Sequence, residues 1–303
     1  MPDTIRTVQR FIRRLTGKRD LFAFARQVYG QDGIEPSPLR NLQTRLGRTL
    51  GTRLFSHSYP GIPGRVHVHE TMMLGDDPDG LAHYIRVGGN AMENIEAGLA
   101  AAGSGWRDIR SCLDMGCGFG RVLRHIARRI PPHAVTACDL EEEAVRFCAE
   151  ELGARPLMST DDLRDLRLPG TYDLIWVGSL FSHLPYADAM VLFDKLGNAL
   201  TPRGVMCFTT QGASCLDHIA FYGPMFVPLE ADYRAQVAGR GWHYAPYYPS
   251  MPRYGIMVYR RDALEDALAA LFGPRLRLVR FAGRGWDNHQ DSWAYQRAAE
   301  SAP

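Results

Sequence analysis

The chain has 303 residues, enough for one large domain or one domain with sizeable additions. Hydrophobic residues make up 46% and the formal net charge is +2, so the composition is that of an ordinary globular chain and no global field points to nucleic acid. No apolar run approaches the roughly 20 residues of a membrane span and the start of the sequence has no apolar signal core, so a cytoplasmic protein is expected.

The positive charge is almost all arginine; the only lysines are Lys18 and Lys195. Cys112, Cys117, Cys138, Cys148, Cys207 and Cys215 form no CxxC pair, which leaves zinc and redox motifs without support and predicts free, reduced thiols. In chain order, Ile5, Val8, Ile12 and Leu15 recur at helical spacing with Arg6, Arg10, Arg13 and Arg14 between them. Such a helix packs on the main domain or on a second subunit; an anionic membrane surface is the other reading. Pro36, Pro38, Pro60 and Pro63 mark an irregular connection, and residues 1–75 are expected to form an N-terminal extension.

Residues 76–303 are expected to form the main domain. Cys112–Met115 predicts a short buried strand, Arg121–Ile130 a helix, Ala134–Cys138 a second strand ending at Asp139, and Glu141–Leu152 a second helix closed by Gly153. Acidic Glu141, Glu142 and Glu143 suit the positive end of that helix. Strands follow at Arg155–Met158, Leu174–Val177 and Val205–Thr210, with a helix over Ala187–Leu200 before the last. This alternation predicts an α/β fold: a Rossmann-like open, mostly parallel seven-stranded sheet with helices on both faces. Residues 211–260, aromatic and Pro-rich, resist regular assignment and predict a lid-like insertion. A helix over Asp262–Phe272 and strands near Leu276–Phe281 and Ser292–Gln296 complete the chain, the two strands forming an antiparallel hairpin at the sheet edge.

The segment Asp114-Met115-Gly116-Cys117-Gly118-Phe119-Gly120 carries the chemistry. A strand enters a turn of glycines, where the backbone can approach a ligand without a Cβ in the way, and a helix N-terminus follows. Asp139, 19 residues after Gly120, stands where a carboxylate can accept hydrogen bonds from a ribose diol. A dinucleotide enzyme would show GxGxxG; here that third position is Arg121. Asp114 beside the turn would repel phosphates and tolerate an ammonium group.

On these residues the chain resembles the class I methyltransferases that use S-adenosylmethionine. Their D-x-G-x-G-x-G motif is matched at Asp114, Gly116, Gly118 and Gly120, and their acid after the second strand at Asp139. Their fourth-strand motif is matched by Tyr172 to Ser179 and the following Phe181-Ser182-His183-Leu184, and their fifth-strand entry by Leu200-Thr201-Pro202-Arg203-Gly204. The resemblance implies S-adenosylmethionine as cofactor and no metal. It implies that Gly116, Cys117 and Gly118 line the methionine portion, with Asp139 on the ribose and Leu140 on the adenine. Val177, Gly178 and Ser179 would lie beside the cofactor. Asp161 is the candidate for the adenine amine, because Ser159 stands where the family commonly has an acid. Tyr84, read as preceding the first domain helix, is the aromatic residue expected to close over the cofactor.

Methyl transfer needs alignment of nucleophile, methyl carbon and sulfur, and a hydroxyl acceptor gains from a general base. His183, just after the fourth strand, is the first candidate base, and a structural histidine buttressing the loop is its alternative. His218, Tyr222 and His289 are further candidates for base or acceptor contact. The run Trp286-Asp287-Asn288-His289-Gln290-Asp291 is either a turn satisfying its own backbone or a contact to a polar acceptor. Similar runs occur in bacterial methyltransferases of glycan or specialised-metabolite pathways. The tyrosines of residues 211–260 offer flat surfaces for a sugar or ring, or else cover the sheet edge or a dimer contact. The function expected is methyl transfer, to a hydroxyl of a small polar acceptor, with no nucleic-acid partner. An NAD-linked or nucleotide-sugar oxidoreductase or epimerase would want the third glycine and a Tyr-x-x-x-Lys pair, which are missing. A non-catalytic binding protein of the same fold would want a broken motif, and this one is intact.

Overall fold

The computed structural model describes residues 61–67, 69–73 and 78–299. The chain divides into two units, residues 1–60 with 64–82 and residues 61–63 with 83–303. In the described part of the first, Met72 N donates to Glu70 Oε1 at 2.8 Å in a short turn. The Ile5 to Leu15 stripe lies outside the described residues.

The second unit is built on a seven-stranded sheet. Its strands are β1 (Cys112–Met115), β2 (Val135–Asp139), β3 (Arg155–Met158), β4 (Tyr172–Val177), β5 (Leu200–Thr210), β8 (Leu276–Trp286) and β9 (Gln290–Arg297), in the order β3-β2-β1-β4-β5-β9-β8. β1 to β5 pair in parallel; β9 runs antiparallel to β5, and β8 to β9. The edge hairpin predicted from the sequence is therefore present. The helices are α1 (Pro78–Ala101), α2 (Leu123–Ile126), α3 (Glu142–Leu152), α4 (Tyr186–Asn198), α5 (Glu230–Arg240) and α6 (Arg261–Phe272).

Alternation along the strands sends side chains to two cores. Cys112, Leu174, Trp176, Val205 and Cys207 face one side, where Val87, Ala91, Ile95 and Leu99 of α1 supply a stripe at every fourth residue and α2 and α3 add Leu123, Ile126, Cys148 and Leu152. Leu113, Met115, Ile175, Val177, Met206 and Phe208 face the other, against Leu192, Phe193 and Leu196 of α4 and Leu264, Leu268 and Phe272 of α6. With both faces covered, the strands read as nearly continuous apolar runs. All six cysteines are buried and free.

Three elements depart from the sequence reading. The helix expected over Arg121–Ile130 is reduced to α2, with single turns around it. Arg124, fully buried, directs its Nε to the Gly120 carbonyl at 3.0 Å and its Nη2 to that of Phe119 at 3.2 Å, drawing on acceptors at the start of a longer helix, and Pro131 and Pro132 close the other end. Tyr84 lies inside α1 and not ahead of it. The helix includes Gly88, where a Cβ would meet the Arg121 carbonyl oxygen at 2.4 Å. Residues 211–260 are regular in large part: α5 and the antiparallel pair β6 (Trp242–Pro246) and β7 (Gly255–Tyr259) enclose a core of their own made of Leu216, Ile219, Phe226, Tyr233, Val237, Ile256 and Val258.

Candidate active site at the carboxyl ends of the strands

Strand order reverses between β1 and β4, the switch point at which open α/β sheets bind ligands. β1 ends at Met115, and Gly116, Gly118 and Gly120 follow with φ of 74°, 49° and 77°. The turn is pinned to β2, since Gly116 N and Cys117 N both donate to the Cys138 carbonyl, at 2.8 and 3.1 Å. A Cβ at Gly120 would lie 2.4 Å from Leu152 Cδ1, so that glycine serves the packing of α3. A Cβ at Gly118 would meet nothing within 4 Å; there the turn borders open space.

Asp139 faces the turn. One carboxylate oxygen accepts from Gly118 N at 2.8 Å, the other from Glu141 N at 3.0 Å. Two amide bonds leave a carboxylate further lone pairs for a diol. Beside it stand two exposed apolar side chains, Leu140 at 54% and Met158 at 43%. Met158 pairs in register with Asp139 and was not singled out from the sequence; its signal was its place as the last residue of a strand that ends level with Asp139.

Asp114 is buried, and its Oδ2 has no hydrogen-bond partner. Burial first, and the Asp139 carboxylate second, push its pKa up to about 7, while the Arg121 guanidinium pulls the other way. A buried carboxyl with an orphaned oxygen next to an open turn suits a cationic ligand group. Cys117 is buried in the core beneath the turn, its thiol raised by a hydrogen bond with Cys148 and by burial. Tyr84 is fully buried, with the Arg124 guanidinium 5.3 Å from its ring centre. Asp161 is exposed and its carbonyl accepts from Arg253 Nη1 at 3.0 Å.

β4 ends at Val177; Gly178 follows, then Ser179 in the left-handed region at φ 66°. A closed ring of hydrogen bonds holds Ser179 there: Ser179 N donates to Thr209 Oγ1 at 2.8 Å, Thr209 Oγ1 to Gln290 Oε1 at 2.6 Å, and Gln290 Nε2 to Ser179 Oγ at 2.8 Å. Thr209 has no motif that would have marked it. Gln290 opens β9 directly after the polar run's turn. That turn satisfies its own backbone in part: Asp287 and Asn288 both have φ of 52°, and His289 N donates to the Trp286 carbonyl at 3.0 Å. α1 anchors it through Trp286 Nε1 to the Val87 carbonyl at 3.0 Å and Asp287 N to Asn90 Oδ1 at 2.7 Å.

The four candidate bases separate. Tyr222 Oη and His289 Nε2 are hydrogen-bonded at 2.6 Å. His183 directs Nδ1 to the Gly255 carbonyl at 2.9 Å and takes the Gly255 amide on its own carbonyl, which ties the β4 loop to β7 as a buttress. Because a carbonyl only accepts, that ring nitrogen carries the proton. Burial lowers the His183 pKa. His218 is exposed.

Residues 113–206 match the family model described as a methyltransferase domain. Over 104 residues the chain is 33% identical to (S)-coclaurine N-methyltransferase of Thalictrum flavum subsp. glaucum, covering 33% of this chain and 28% of that protein. Malonyl-[acyl-carrier protein] O-methyltransferase of Priestia megaterium is 27% identical over 101 residues, 33% of this chain and 36% of that one. The chain thus matches about a third of the length of these relatives. Among solved structures, SAM-bound CalS10, an amino pentose methyltransferase from Micromonospora echinaspora, superposes with a TM-score of 0.47 at 17% identity, over 76% of this chain and 100% of that one. Residues 113–206 are thus a methyltransferase domain, with the strand order and glycine turn of the class I enzymes that use S-adenosylmethionine.

Proposed function

We propose that the chain transfers a methyl group from S-adenosylmethionine to a hydroxyl oxygen of a small polar acceptor, a glycan unit or a natural-product scaffold. The observation that carries this reading is the open space over Gly118, whose amide the Asp139 carboxylate accepts. Bound there, the cofactor supplies a methyl group on a sulfonium, already activated for displacement.

The chain's own residues bind and orient. Asp139 accepts from the ribose hydroxyls with the lone pairs its two amide bonds leave. Leu140 and Met158 give the adenine an apolar surface, and Asp161 is the carboxylate nearest in sequence for its amine. The backbone at Gly116, Cys117 and Gly118 lines the amino-acid end, with Asp114 facing its ammonium. Val177, Gly178 and Ser179 lie beside the cofactor at the end of β4. No role for a metal enters. The N-methyltransferase and O-methyltransferase relatives leave both acceptor atoms represented; the His289 imidazole, whose pKa burial lowers, favours a hydroxyl, whose proton a neutral imidazole can take.

Thermal shift tests the reading. S-adenosylmethionine and its demethylated product should each raise the midpoint, by mass action on the folded state, and NAD should leave it unchanged. Stabilisation by NAD alone would contradict the proposal.

A further inference from the structure

Methylation of a hydroxyl releases a proton, and a group at the strand ends must take it. His183 is held as a buttress through Gly255, and His218 is exposed. The remaining two candidates are joined to each other. Resting on the methyltransferase reading, we propose that Tyr222 and His289 form a proton relay for a hydroxyl borne on a flat ring. The Tyr222 oxygen receives the acceptor's proton while the phenol's own proton passes to His289 Nε2.

Position supports this. His289 precedes Gln290, whose side chain is tied to Ser179 at the tip of β4. Its backbone is held in the Trp286 turn, which α1 anchors. The His289 backbone is thus held relative to the switch point, and the imidazole and the phenol hold each other through the 2.6 Å bond. Tyr222 comes from the insertion and packs with Met225 and Tyr247 against its core. From Tyr247 a run of rings continues, to Phe226 at 5.3 Å, to Tyr254 at 5.2 Å, and from Tyr254 to His183 at 5.1 Å. Such rings offer faces and edges to a planar acceptor.

Charge supports it too. Burial raises the Tyr222 phenol, with Cys215 and Tyr247 adding to the shift. Burial lowers the His289 imidazole, aided by His218 and Arg284 and opposed by Asp287. Both groups are therefore neutral near pH 7, the state from which the relay starts. The step balances. The acceptor oxygen's electron pair makes the new bond to the methyl carbon and the carbon–sulfur pair stays with sulfur. The positive charge leaves the sulfonium and reappears on the His289 imidazolium, which later gives its proton to water. Tyr222 is the catalytic residue; His289 acts through it.

The test uses the full chain with labelled-methyl S-adenosylmethionine and a panel of catechol and simple phenols as acceptor probes. Transfer is measured against pH for the wild type, Tyr222→Phe, His289→Gln and the double variant, with cofactor affinity by calorimetry and the His289 nitrogens followed by NMR. Each single variant should slow transfer by roughly 10²-fold or more with cofactor affinity unchanged. The double variant should be no slower than the worse single one, since the two act as a unit. The acid limb of the wild-type profile should follow the NMR titration of His289 and vanish in His289→Gln. Unchanged rates and profiles in the variants, an Nε2 already protonated at neutral pH, or bound cofactor with no methyl passed to any probe would each overturn the relay. Failure of S-adenosylmethionine to bind at all would instead overturn the methyltransferase reading beneath it.

Discussion

Asp114 concentrates the residue-scale physics of the site. Its carboxyl is buried and one oxygen lacks a partner, so ionising it in the ligand-free protein is costly. Its folded pKa, about 7, lies above the ordinary 3.8 of an aspartate, so between those pH values the folded chain binds more protons at this position than the unfolded one. By linkage, this group's contribution to stability falls as pH rises from about 4 to about 7. His125 works in the opposite sense, since burial and neighbouring arginines lower its pKa to about 4. The effect is therefore read as a difference: stability of Asp114→Asn relative to the wild type should climb with pH over that window in urea titrations. A constant difference would show that Asp114 ionises without penalty. Gly118 makes the complementary residue-scale prediction. With φ of 49° and open space beyond, Gly118→Ala should cost about 1–2 kcal/mol of stability, and its methyl group would occupy space proposed for the cofactor. Calorimetry should find cofactor binding weakened at least tenfold while circular dichroism stays native.

At the scale of elements, two strands and a turn converge on one small ring of hydrogen bonds. Ser179 sits in a conformation that costs a non-glycine residue about 1–3 kcal/mol, and Thr209 from β5 and Gln290 from β9 hold it there. Gln290→Ala leaves the buried Thr209 hydroxyl without its acceptor and should lower stability by about 1–3 kcal/mol in denaturant unfolding. No change would mean that water replaces the amide at no cost. Most elements were legible because their apolar residues recur with the right period: β3 and the C-cap of α3 at Gly153, with φ 71°, fall where the pattern puts them. The misses have physical causes. α2 is short because a buried arginine draws on nearby carbonyls, a tertiary effect no local pattern encodes. α1 starts ahead of Tyr84, and its Gly88 makes room for the Arg121 carbonyl and the His125 ring. The β6–β7 pair stands outside the main sheet and lies among prolines and aromatics that mask alternation. In the site, the glycine turn and Asp139 were legible as chemistry. The Ser179–Thr209–Gln290 ring was not, because 81 residues separate Thr209 from Gln290 and only sheet topology brings them together.

Across the whole molecule, the sheet does two jobs with one topology. Its parallel half, β3 to β5, opens the switch point, and its antiparallel edge brings β9, and with it His289 and Gln290, back to the same end. The helix-covered faces supply the rigidity. Phe193 of α4 stacks on Phe181 at 3.7 Å and meets Phe208 of β5 at 4.9 Å, so Phe193→Ala should cost about 3–5 kcal/mol in thermal or urea unfolding. Among the described residues no helix is long and apolar enough to cross a membrane. The account's central claim is that a cofactor with a ribose diol is held over the glycine turn by Asp139. Calorimetric titration of S-adenosylmethionine into the wild type, Asp139→Asn and Asp139→Ala tests it most directly. Saturable binding to the wild type that weakens by about 10²-fold or more in both variants, with native circular dichroism, is the predicted result. Undiminished affinity in folded Asp139→Ala, or no binding to the wild type, would contradict it.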